Sequence, residues 1–64
     1  MDNVDLDKLY EFNSYLNSIM KMTELLELLE ENIRELTINE VMNDKKKEFY
    51  KQKIFLIKMR ILNL

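Results

Sequence analysis

A chain of 64 residues with no glycine and no proline must turn every corner with ordinary backbone, because those two residues supply the left-handed turns and fixed-φ bends of tight connections. Hairpin-rich β structure, which needs such turns repeatedly, does not suit it. Leu, Glu, Lys, Met and Ile fill the chain instead, and together with the spacing of the apolar residues they point to helices. The expected class is all-α, with residues 1–64 forming a single helical domain at most.

The last apolar run, Ile54 to Leu62, sets the architecture. Winding it at about 100° per residue puts Tyr50, Ile54, Ile57, Ile61 and Leu64 on one stripe. Phe55, Met59 and Leu62 fall on a second stripe, with Phe49 and Leu56 between the two on the far side. Two apolar faces need two partners, drawn from the same chain, a second copy or another protein.

A chain this short has a marginal core, and natural proteins of the size add disulfides, metals or association. Cysteine and histidine are both absent, so neither a disulfide nor a thiolate metal site is available, and the expected location is intracellular and cytoplasmic. Association remains. The acidic start Met1-Asp2-Asn3-Val4-Asp5 lacks the pattern of a secretory signal, and no window approaches the roughly 18–20 apolar residues of a membrane span. A net charge of -2 hides a strong division: residues 1–40 carry ten acids against Lys8, Lys21 and Arg34, and residues 41–64 carry Asp44 and Glu48 against seven bases. Halves of opposite sign attract when folded together, although each exposed pair contributes only about 0–1 kcal/mol.

In chain order, Asp5 suits the N-cap of a first helix over 5–20, whose apolar stripe is Leu6, Leu9, Phe12, Leu16, Ile19 and Met20. Met22, Leu26, Leu29, Ile33 and Leu36 follow at spacings 4, 3, 4, 3, with Leu25 and Leu28 widening the stripe and five glutamates on the other face. One helical phase cannot serve both segments, so a break near 20–23 is predicted, with Thr23 as N-cap of a helix over 23–36. Thr37 and Glu40 have capping-box spacing, flanked by Leu36 and Val41 as a hydrophobic staple, which predicts a third helix over 38–62. Asn43-Asp44 is a second possible start, with the connection spanning 37–43. The expected fold is a small antiparallel bundle of these three segments, the last helix laying one stripe on each of the others. The alternative is a two-helix hairpin, 5–36 against 40–62, that dimerises or binds a partner.

For chemistry the chain is poorly equipped. Ser14 and Ser18 are its only serines and no histidine can act as a base, so enzyme activity is not expected, nor is a cofactor or a small-molecule substrate. Glu27, Glu31 and Glu35 share a face, but a bundle metal site pairs such groups with an inward Glu-x-x-His, which this chain lacks, and no metal is expected. Lys45, Lys46, Lys47, Lys51 and Lys58 are the candidates for phosphate contact, in a nucleic-acid-binding regulator that uses the basic C-terminal helix. A sequence pI of about 5.0, and Lys53 and Arg60 standing between apolar stripes, count against that alternative. A membrane-surface helix fits poorly, since the apolar residues of the last helix point several ways. The leading expectation is a non-enzymatic protein-protein interaction module: a small regulator, inhibitor, adaptor or co-chaperone. It would bind another protein or a second copy through Phe49, Phe55, Leu56, Met59 and Leu62.

Overall fold

In the computed structural model the described residues, 5–38 and 43–64, form three α-helices and no strand. They are α1 Leu6–Ser18, α2 Met22–Ile38 and α3 Asp44–Leu62. The fold is a small helical bundle in which α3 is the hub: α1 and α2 each pack on it and touch one another little. Asp5 and Lys8 sit beside Asn43, Lys45 and Phe49, while Arg60 meets the far end of α1 at Leu16 and Ile19. Hence α1 and α3 run the same way, and α2 runs opposite to both.

The first helix starts as its sequence predicts. Asp5 is extended, at φ -70° and ψ 99°, and its carboxylate accepts from the Lys8 amide at 3.2 Å. That satisfies one of the free N–H groups of the first turn. The helix ends two residues sooner than expected, because Ile19 turns to φ -85° and ψ 123° and its amide donates to the Leu16 carbonyl at 3.0 Å. An ordinary extended residue thus makes the corner that separates α1 from α2. Ile19 is buried there, so the break is held by packing in a chain that has no glycine to make it.

Three expectations need correction. Thr23 is not an N-cap: α2 begins at Met22, and the Leu25 amide donates to the Lys21 carbonyl at 3.3 Å. Nor does Thr37 open the last helix, since α2 continues to Ile38 and the Thr37 hydroxyl donates back to the Ile33 carbonyl at 2.8 Å. A threonine bonded within its own helix extends that helix instead of opening the next. Glu40 and Val41, the other halves of the box and of the staple, lie outside the described residues. The last helix starts at Asp44 rather than 38, capped by Asn43, whose side chain accepts from the Lys46 amide at 2.8 Å. Asn43 does this from ordinary extended backbone, at φ -73° and ψ 166°.

Leu16, Ile19, Leu25 and Ile57 make up the buried apolar core among the described residues. Full burial contributes about 1.5–3 kcal/mol for each such side chain. Ordering each residue costs about 1–2 kcal/mol in backbone entropy alone, so four core residues are few. The half-buried Phe12, Leu28, Leu29, Leu56 and Ile61 that pack around them are therefore essential.

The regular 4-3-4-3 stripe of α2 only partly overlaps its core face, which takes in the half-buried Leu29 and Leu36. Leu25 is fully buried and Asn32 nearly so, whereas Met22, Leu26 and Ile33 are 39%, 49% and 43% exposed. The contact with α3 is rotated off the stripe by about 60–100°, leaving a shoulder of it in the open.

Candidate functional site

The two sides of α3 differ sharply. Ile57, on the inner side, is fully buried, with Tyr50, Ile54 and Ile61 half-buried around it. Phe55, Met59 and Leu62 wind to positions about 140–200° from Ile57, and they are 56%, 40% and 77% exposed. The second stripe read from the sequence thus exists as a continuous apolar row. Neither α1 nor α2 covers it, so the expectation that α3 would lay one stripe on each neighbour is corrected: both helices share the Ile57 side. Of the other candidate binding residues, Leu56 is half-buried against the core cluster. Phe49 is half-buried too, its ring set edge-on to Tyr50 at 6.2 Å.

Two basic side chains of α3 are engaged inside the molecule. The Arg60 guanidinium donates to the Leu16 carbonyl at 3.1 Å and to the Ile19 carbonyl at 2.8 Å. It also lies 3.4 Å from the Met20 sulfur. It thereby caps carbonyls at the C-terminus of α1, sharing that of Leu16 with the Ile19 amide, where the helix dipole is negative and a cation is favoured. Lys53 lies beneath three rings, its ammonium 4.7 Å from the centre of Phe12, 5.1 Å from Tyr50 and 5.6 Å from Phe49. Burial pushes its pKa below the usual lysine range, and the Glu31 carboxylate partly opposes that shift. The aromatic faces also favour the charged form. Both residues tie α1 to α3.

Among the phosphate-contact candidates, Lys45, Lys46, Lys51 and Lys58 are exposed and Lys47 is half-buried. Winding sets Lys45 and Lys46 on different sides from the row of Lys47, Lys51 and Lys58. With Lys53 and Arg60 turned inward, the seven bases of α3 do not form one ridge.

Sequence reasoning passed over Asn32, which is 4% exposed and donates through its side-chain amide to the Leu28 carbonyl at 2.8 Å. A break in the leucine pattern four residues after Leu28 was the only signal for it. Arg60 stood out only by its place between the apolar stripes, and its partners, 41 to 44 residues away, left no local sign.

α1 runs along one side of the α2–α3 pair. Tyr15 and Ile19 border a shallow cleft with Glu24, Glu27, Leu28 and Glu31 of α2, and on α3 the helix meets Lys53 and Arg60. The open shoulder of α2 and the Phe55–Leu62 edge of α3 both wind to the opposite flank. That flank has apolar residues from two helices, and exposed Lys51 and Lys58 run along it. Comparison with known protein families, with curated proteins and with solved structures returned no match, so the face is characterised by its own geometry and charge.

Proposed function

We propose that this chain is a non-enzymatic protein-interaction module, a small regulator, inhibitor, adaptor or co-chaperone acting in the cytoplasm, that docks through the outer side of α3. The observation that carries this reading is the contrast between Ile57, fully buried, and Phe55, Met59 and Leu62, 40–77% exposed on the same helix. An apolar row with i, i+4, i+7 spacing is the form in which one helix lies against another. The part of this row that stays in water contributes nothing to a lone chain's fold. Phe55 and Met59 are also suited to adaptable contact, one by its area and the other by its flexible, polarisable chain.

The test is affinity capture from the native host with the wild-type chain and with Phe55→Asp and Leu62→Asp, each variant checked for helical circular dichroism. Loss of a bound protein in both variants, with the helix signal intact, supports the reading; retention of every partner by both removes this face from consideration. The rival, nucleic-acid binding through Lys45, Lys46, Lys47, Lys51 and Lys58, predicts salt-dependent retention on a DNA column, and no retention at low salt dismisses it.

A further inference from the structure

We propose that the chain pairs with a second copy of itself, the acidic α2 of each copy lying antiparallel across the basic α3 of the other on the flank turned away from α1. This inference rests on the docking reading and names its occupant.

The flank presents two unfinished apolar surfaces side by side. On α2 these are Met22, Leu26 and Ile33, and on α3 Phe55 and Leu62 at the edge of the outer row. Their spacings, 4 and 7 on α2 and 7 on α3, follow the seven-residue interval at which helices interlock. Rotating a second copy by 180° about an axis parallel to the helices sets each surface against the other kind and closes the assembly, as a self-complementary two-fold contact must.

Charge selects this pairing over the alternatives. α2 carries five glutamates against Arg34, and α3 carries six lysines and Arg60 against Asp44 and Glu48. Laying α3 on its own copy antiparallel brings the Lys51–Lys58 border against itself. Laying α2 on α2 confronts glutamates with glutamates. Only α2 on the partner's α3 sets a helix with four more acids than bases along one with five more bases than acids, Glu30 being the α2 carboxylate nearest Lys51 and Lys58. These two lysines have no salt bridge among the described residues, where the one ion pair is Arg34 with Glu30 at 3.2 Å. Their alkyl stems can lie along the apolar seam while the ammonium groups reach the partner's carboxylates.

Sedimentation equilibrium of the full chain from about 5 to 200 μM tests the pairing, since a two-fold dimer dissociates on dilution. Leu26→Asp and Phe55→Asp should each give monomers with helical circular dichroism unchanged. Reversing Lys51 and Lys58 to Glu should weaken the dimer roughly tenfold or more, and reversing Glu30 to Lys in addition should restore part of that loss, about threefold or more. The pairing is overturned by a wild-type monomer throughout that range, by a dimer that both Asp variants leave intact, or by a charge reversal that leaves the dimer as tight as wild type, as expected of an α3-on-α3 contact that is like-charged before and after. A monomeric chain whose Phe55→Asp variant still loses a host protein would overturn the second copy and leave the docking reading standing. A monomer that loses nothing would end both.

Discussion

The inner and outer sides of α3 are built from nearly the same residue types and do opposite things. Ile57 is sealed between α1 and α2, while Phe55, two positions earlier, is 56% exposed. Arg60 is bonded to the carbonyls ending α1, while Lys58, two positions before it, is exposed. The difference lies in helical phase. Whatever winds toward Ile57 stabilises the fold, and whatever winds away is free for contact. In a chain of this length, one helix thus contributes to both the core and the candidate interface.

The largest expected break of that contrast is at Ile57. Ile57→Ala should lower unfolding free energy by about 2–5 kcal/mol, the range for truncating a buried aliphatic, read as a drop in urea midpoint. A loss below about 1 kcal/mol would mean that the inner side is not the core. Next comes Arg60→Met, which removes a charged donor from the α1 terminus and should cost about 1.5–3 kcal/mol. Amide exchange should accelerate in α1 well before α2, and uniform acceleration would argue against a local tie. Asn43→Ala sharpens the account of where α3 begins. It should cost about 0.5–2 kcal/mol as a lost N-cap, whereas Thr37→Ala, if Thr37 capped nothing, should cost clearly less.

The smallest effect concerns pH. Because burial lowers the folded-state pKa of Lys53 below its usual value, the unfolded chain holds the proton more tightly between the folded pKa and the ordinary lysine value near 10.4. Stability should therefore gain a contribution as pH rises through that window. Lys53→Met should flatten this part of the stability profile relative to wild type, and an unchanged slope would assign it to other groups.

Local signals in the sequence were legible where a single neighbourhood decides the outcome. Asp5 caps α1 because its carboxylate needs only the amide three residues on, and the two stripes of α3 follow from winding alone. The start of α3 was ambiguous for the same reason. Thr37-x-x-Glu40 and Asn43 both look like caps, and the choice depends on whether α2 can continue, which the Thr37 to Ile33 bond shows that it does. The α2 stripe misled because periodicity locates apolar residues without locating the neighbour. Leu25 and Asn32 are buried because α3 lies against that side, a fact set by packing across the molecule. The exposed row on α3 was legible as a surplus. What it touches is not written in its spacing, and only its charge borders suggest a partner.

The most direct measurement compares Phe55→Asp with Ile57→Asp in urea unfolding at about 1–5 μM, dilute enough that association adds little to apparent stability. The two-sided account predicts a Phe55→Asp midpoint close to wild type and an Ile57→Asp chain that has lost its cooperative transition. Equal loss in both variants would contradict it, because the outer side of α3 would then belong to the fold and not to a contact.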